Sequence, residues 1–382
     1  MINRIIPDYK KIREEFADFG MKLISSDELL IQDKQSFFDK AKWQSTGTLP
    51  LGGLTVADTW GGRNYTAAQT CAAYEGFGLG CLNNGLAFSI GAHFLGSVIP
   101  LSIHGSDFLK SSYLSQLATG QLIAANAITE HNAGSDVFNM EGLAVRKTNG
   151  YEITAQKIYI TNAPVADVLV VYVMTDKEKG FFGGVSAFII PADRAGVEVS
   201  EVKDKMGLKT CHMAHVSFNS VFVEESLRLG EEGSGASMFS ESMVWERTVL
   251  AALHIGQLER VYRKALSFCK KRKVGGKKIL GFQNIAHTLA EVQTVINAGR
   301  LLVYDAALAI DEKASNALVK SSMAKLFVSE RGVEAVKNIQ ALYGAAGYLM
   351  ENEVEREYRD LYASLIYSGT TDIQKNIITG HS

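Results

Sequence analysis

The chain changes character twice, and the order of its segments restricts the fold more than any single residue does. Residues 1 to 117 carry apolar side chains at three-to-four spacing, as in Tyr9–Phe19 and Ala67–Leu79, which predicts helices. Asn83–Leu101 is more apolar and predicts a buried helix. From 118 to 230 the pattern shortens. Tyr151–Ile160, Val168–Met174, Val185–Ile190, Val197–Val202 and His215–Val223 are rich in β-branched residues and separated by Gly, Asp and Lys. That spacing predicts a compact antiparallel sheet or barrel. Residues 231 to 382 return to long helices, Met243–Lys271, Phe282–Asp311, Ala314–Tyr343 and a last one from Thr371. Their short connections predict a bundle. The expectation is an α+β chain of three domains.

Composition narrows the function. Lys+Arg number 39 and Asp+Glu 41, so no basic excess points to nucleic acid. No uninterrupted apolar run reaches the ~20 residues of a membrane span, and none is expected. The N-terminus carries Asp8, Lys10, Lys11, Arg13, Glu14 and Glu15, which does not read as a signal peptide. Four cysteines without CxxC spacing read as buried, reduced thiols of a cytoplasmic protein. Two local patterns mislead. Gly76-Phe-Gly78-Leu-Gly80 looks like a dinucleotide fingerprint, but its flanks are helical and its third glycine is misplaced, so helix packing is the better reading. Cys211-His212-Met-Ala-His215 looks like a metal cluster, but strand alternation sends the two histidines to opposite faces. No metal site is expected.

The stretch with chemical content is Ala127–Ala163. Thr129-Glu130 precedes a small-residue turn closing on Gly134-Ser135-Asp136, and the strand Tyr151–Ile160 is closed by Thr161-Asn162. Such turns bare backbone N–H groups, and the hydroxyls of Thr129, Ser135 and Thr161 add donors. A flat, polar, phosphate-bearing cofactor suits that surface. The two segments, AITEHNAGSD and QKIYITNA, resemble the T-E-P-x-A-G-S-D and K-x-W-I-T-N-G signatures of the flavin-dependent acyl-CoA dehydrogenases. The segment order matches as well, so the resemblance spans essentially the whole chain. It implies an N-terminal helical domain, a middle β-barrel or sheet domain and a C-terminal four-helix bundle. It further implies FAD, an acyl thioester on CoA or a carrier protein as substrate, and an electron-transfer flavoprotein or oxygen as acceptor. A homotetramer is implied too.

Oxidising the Cα–Cβ bond of a thioester requires a base for the α-proton, donors for the thioester carbonyl and a hydride acceptor. Many members of the resembling family place a base glutamate in a Y-E-G-T turn, where this chain has Tyr367-Ser368-Gly369-Thr370. A minority, the isovaleryl-type branch, places it where this chain has Glu246. Glu246 is therefore the candidate base, among apolar neighbours that would raise its pKa; taken alone, without Ser368 at the other position, it reads better as a solvated glutamate opening a helix. Arg247 matches an arginine near the substrate, or is a solvated helix residue. Ser368 retains a backbone N–H for the thioester carbonyl although its side chain is no base.

The same resemblance places Ile128, Thr129, Tyr159 and Thr161 along the flavin ring, with Tyr159 in the usual Trp position. Ser135 would meet a phosphate or the pantetheine arm, and Thr370 and Asp372 would lie beside the cofactor. Arg272, Gln283, Gln340 and Gly344 correspond to segments that reach the flavin of a neighbouring subunit. Departures occur here: Gln340 falls one place early, Ala345 replaces a Gly, Gly275 a Phe, and Asp372 a Gln or Glu. They suggest a specialised, biosynthetic branch, such as the flavoproteins that oxidise a carrier-bound prolyl group. A non-catalytic flavin-binding relative and a flavin monooxygenase or nitroalkane-type oxidase are the other readings.

Overall fold

The computed structural model describes residues 7–380. Residues 1–6, part of the segment read against a signal peptide, lie outside the described residues. Three layers follow in the expected order. The N-terminal domain holds the helices Pro7–Leu23, Ser26–Gln35, Lys40–Ser45, Ala67–Gly80 and Asn84–His93, the last continuing through a π turn into Ile99–His104. Ser25 and Asp39 cap two short helices whose apolar pattern was too brief to predict. The segment Asn84–His104 is apolar and long enough to cross a membrane by composition alone, yet 83% of that window is buried inside the protein. It is a core helix.

The glycine-rich segment is a packing device. A Cβ on Gly76 would stand 2.2 Å from the carbonyl oxygen of Arg13, one on Gly80 2.0 Å from that of Ala17, and one on Gly78 2.1 Å from that of Leu253. Glycine thus lets Ala67–Gly80 touch the backbones of two other helices at once. Glu75, buried in the same helix, accepts from Arg13 Nε at 2.7 Å, Arg300 Nε at 2.9 Å and Tyr304 Oη at 3.1 Å. This network ties the first domain to the last.

The middle domain is an eight-stranded sheet. Its strands are β1 Ala124–Ala127, β2 Leu143–Lys147, β3 Gly150–Thr161, β4 Val168–Met174, β5 Val185–Pro191, β6 Val197–Val199, β7 Met213–Glu224 and β8 Arg228–Leu229. The order is β6-β7-β3-β2-β4-β5-β8, with β1 on β4. The sheet is mixed rather than antiparallel throughout, because β1 and β2 both run parallel to β4. β1 reads Ala-Ala-Asn-Ala, without β-branched residues, so only its seat between core elements makes it a strand.

The C-terminal domain is built on three long helices, Gly235–Lys271, Gln283–Asp311 and Ala317–Leu342, with shorter Glu353–Tyr362 and Thr371–Gly380 completing it. A buried polar cluster fastens it to the other domains. Arg260 Nη2 donates to Glu357 Oε1 at 2.9 Å and to Asn84 Oδ1 at 2.8 Å. Asp360 accepts from Asn84 Nδ2 at 3.0 Å and from the Leu208 N–H at 2.5 Å.

Candidate active site

The helix bearing Glu246 begins at Gly235, eight residues before the predicted start at Met243. Its opening, Gly-Ala-Ser-Met-Phe-Ser, lacks the apolar period that marks a helix in sequence. Glu246 therefore sits in the helix interior, where the terminal dipole no longer acts, and the helix-opening reading falls. Met243, Val249, Leu250 and Leu253 around it are buried. Burial raises the carboxyl pKa, opposed by a hydrogen bond from Ser368 and by the charge of Arg247. Tyr172 of β4 also faces this carboxylate: burial, then the Glu246 charge, raises its phenol pKa. The Tyr172 hydroxyl is buried and meets no partner among the described residues. Sequence reasoning missed it. The one available signal was a single polar atom in the strand VLVVYVM, which is buried along its whole length.

Ser368 and Gly369 form a turn with φ of +57° and +85°. The Ser368 hydroxyl donates to Glu246 Oε1 at 2.5 Å. The two alternative positions for a base are thus neighbours. Arg247 is buried rather than solvated, and its Nε donates to the Ser368 carbonyl at 3.1 Å. Burial pulls its pKa down to about 10. Tyr367 packs on Phe88 at 4.5 Å between ring centroids, and its hydroxyl meets His254 Nε2. Burial lowers His254 to about 4, so that ring is neutral. Thr370 Oγ1 accepts the Ile373 N–H at 3.4 Å as a helix cap. Asp372 stands in solvent, 3.5 Å from Lys375, and joins none of these groups among the described residues.

The β domain supplies the other wall. Lys157, fully buried, donates to Glu130 Oε1 at 2.6 Å and to the Ile128 carbonyl at 3.1 Å. Glu130 also accepts the N–H groups of Glu141 at 2.6 Å and Gly142 at 3.0 Å. The Ile158 N–H donates to the Thr129 carbonyl at 2.9 Å. One buried ion pair therefore joins the two motifs. A register shift in the β3–β7 ladder between Lys157 and Ile160 releases Tyr159, at φ +57°, from the sheet. Its ring is 60% exposed. His215 lies against that ring and accepts the Tyr159 N–H at 3.2 Å, while His212 Nε2 is 2.8 Å from the Ser36 carbonyl oxygen. The two histidines serve separate contacts. Asn162, next to Thr161, accepts from Ser89 Oγ at 2.5 Å and donates to the Ser89 carbonyl at 2.9 Å. Phe88 and Ser89 are consecutive, so one helix turn holds both the Tyr367 turn and the Thr161-Asn162 turn. Ser135 is exposed in its loop.

Four predicted cofactor residues lie elsewhere. Arg272 ends the Glu246 helix, and 26 residues at a rise of roughly 1.5 Å place it about 39 Å away. Gln283 and Gly344 share its exposure, the latter at φ +59°. Gln340 donates to the Gly347 carbonyl at 2.8 Å and so closes its own loop. Within one chain these residues do not join Glu246.

Family models for the N-terminal, middle and C-terminal domains of acyl-CoA dehydrogenase match residues 7–121, 125–221 and 233–382. The chain belongs to the acyl-CoA dehydrogenase family. It is an FAD-dependent oxidoreductase of that fold. An L-prolyl-[peptidyl-carrier protein] dehydrogenase of Serratia sp. is 37% identical over 344 residues, which is 90% of this chain and 89% of that protein. The isovaleryl-CoA dehydrogenase of Oryza sativa is 32% identical over 97% of this chain and 90% of its own. The solved structure "PigA with FAD and proline" superposes with a TM-score of 0.95 at 35% identity, covering 98% of this chain and 97% of its own. The prolyl acyl carrier protein oxidase AnaB gives 0.94 at 32% identity, covering 98% of both chains. The residues present fit the family's flavin. Tyr159 offers an exposed aromatic ring, Thr161 closes β3 two residues on, the Thr129 carbonyl accepts the neighbouring Ile158 N–H, and the Ser368 N–H has no acceptor among the described residues.

Proposed function

We propose that this acyl-CoA dehydrogenase family member oxidises the Cα–Cβ bond of an aminoacyl group, prolyl or a close analogue, held as a thioester on a carrier protein. The observation that carries the reading is Glu246: a desolvated carboxylate, hydrogen-bonded to Ser368, on the turn where others of the family hold their base. Glu246 takes the α-proton. Ser368, through its N–H, holds the thioester carbonyl as charge develops on oxygen. Ile128, Thr129, Tyr159 and Thr161 hold the flavin ring, and Ser135 lies where the pantetheine arm enters. FAD, when bound, supplies the acceptor for the β-hydride. The similarity to two carrier-protein prolyl enzymes favours a carrier thioester over CoA. Biosynthetic use in the cytoplasm, with an electron-transfer flavoprotein or oxygen as acceptor, accords with that substrate.

We further infer a homotetramer in which Arg272, Gln283 and the Gly344 loop complete a neighbour's FAD site, since about 39 Å of helix separates Arg272 from Glu246. Light scattering is expected to give a tetramer. A monomer that holds FAD tightly would remove this reading.

The deciding experiment is anaerobic mixing of the FAD-loaded protein with L-prolyl carrier protein, L-prolyl-pantetheine and a panel of acyl-CoAs. Bleaching of the flavin band fastest with the prolyl carrier protein is expected. Preferential bleaching by a plain acyl-CoA would assign the enzyme to CoA substrates. Bleaching by none would favour a non-catalytic flavoprotein.

A further inference from the structure

The Ser368-Gly369 turn is held by buried side chains from three helices. Two successive residues adopt left-handed φ values, and the first is not glycine. Such a turn is intrinsically unfavourable for Ser368 and persists only where its surroundings over-determine it. The surroundings here are specific. The Ser368 carbonyl accepts from Arg247 Nε at 3.1 Å and from Gln374 Nε2 at 3.1 Å. The Gly369 carbonyl accepts from Lys325 Nζ at 2.8 Å and from Gln374 Nε2 at 2.8 Å. Three buried side chains from three helices, two of them cationic, thus hold two consecutive carbonyls. Neither Lys325 nor Arg247 lies in an ion pair among the described residues. Their hydrogen-bonding capacity is directed at the turn.

The consequence falls on Ser368 itself, whose own N–H belongs to the preceding Tyr367–Ser368 peptide. Ser368 is only 8% exposed as a residue, and its N–H meets no acceptor among the described residues. Buried N–H groups without partners are rare, and one held in a strained turn calls for an external acceptor. The held carbonyls belong to the Ser368–Gly369 and Gly369–Thr370 peptides, so the bonds anchor the backbone on the C-terminal side of Ser368; without that anchor Ser368 could leave its left-handed φ and swing its N–H away. Four hydrogen bonds to the carbonyls keep that anchor in place.

We propose that Lys325 and Gln374, acting with Arg247, are positioning residues that hold the Ser368 N–H in place for the thioester carbonyl. The proposal rests on the reading of Ser368 given above for its ligand, though not for the clamp. Lys325 and Gln374 act through the backbone of Ser368 and Gly369.

The test uses the FAD-loaded protein and the variants Lys325→Met, Lys325→Arg and Gln374→Met. Hydrogen exchange by mass spectrometry is read over the peptide spanning residues 366–373, and turnover is read with L-prolyl-pantetheine. Lys325→Met and Gln374→Met are expected to speed exchange in that peptide while the sheet stays protected. Because a misplacement of about 1 Å costs on the order of 10²-fold, kcat should fall by roughly ten- to a hundredfold with KM within about threefold. Lys325→Arg should recover most of both. Unchanged exchange at 366–373 in both methionine variants overturns the proposal. So does a fast-exchanging turn with wild-type kcat, or a loss that Lys325→Arg does not recover at all. If the wild type turns over no thioester, the reading of function fails, while the exchange arm still decides whether the clamp exists.

Discussion

Ser368 Oγ donates to Glu246 Oε1 at 2.5 Å across 122 residues of sequence. The serine stands at the turn that the family resemblance marks as a base position, and here it bonds the carboxylate proposed to take over that role. Its hydroxyl is therefore not idle. It favours the ionised form of Glu246, against the burial that disfavours it.

Ser368→Ala should accordingly move a pH limb. A base must be ionised to act, so turnover rises with pH through the Glu246 pKa, which burial has already raised above the ordinary glutamate value. Removing the serine donor raises it further. The acid limb of kcat/KM is expected at higher pH in Ser368→Ala, with the plateau rate little changed because alanine keeps the N–H. An unmoved limb would show that the hydroxyl does not bear on the base.

Glu246→Gln should bind FAD and lose chemistry. A positioned base contributes roughly 10²–10⁴-fold, so substrate-driven flavin bleaching should slow by at least ~10²-fold. Stopped-flow absorbance checks this. Bleaching at the wild-type rate would mean that the base lies elsewhere.

The same substitution should stabilise the protein at neutral and higher pH. The folded-state pKa of Glu246 is raised, so the unfolded chain ionises first and binds fewer protons. Folding stability then declines as pH rises from the ordinary glutamate value through the folded one. Glutamine removes that decline. Melting temperatures should favour Glu246→Gln at pH 8 and converge below the ordinary glutamate pKa.

Lys157→Met should be costly. Lys157 and Glu130 are both buried and bonded at 2.6 Å, and burial draws the lysine down to about 8. Removing one partner of such a pair leaves an uncompensated charge, at a cost of about 3–5 kcal/mol. Denaturant unfolding should show that loss, and FAD should be released more readily because both motifs hinge on this pair.

Arg272→Ala should weaken FAD retention without slowing turnover at saturating FAD. The residue is exposed at the end of its helix, so folding should be unaffected. Fluorescence of released flavin during dilution measures the effect. Unchanged retention would remove Arg272 from the cofactor site.

The sequence alone determined the three-domain order and, through its resemblance to the family, pointed to the two motifs and to Glu246 as the candidate base, because periodicity and short motifs are local properties that survive without coordinates. Helix packing by Gly76 and Gly80 was legible for the same reason. What tertiary structure decided was every relation between distant segments. Glu246 lies within a helix that starts at Gly235, because packing on the sheet overrides a weak helical opening. β1 is a strand of alanines only because β4 accepts it in parallel. Tyr172, Lys325 and Gln374 carry no signal along the chain. They face Glu246 and the Ser368 turn because a strand and two helices converge there, and only the burial of that junction turns their polar atoms into parts of the site.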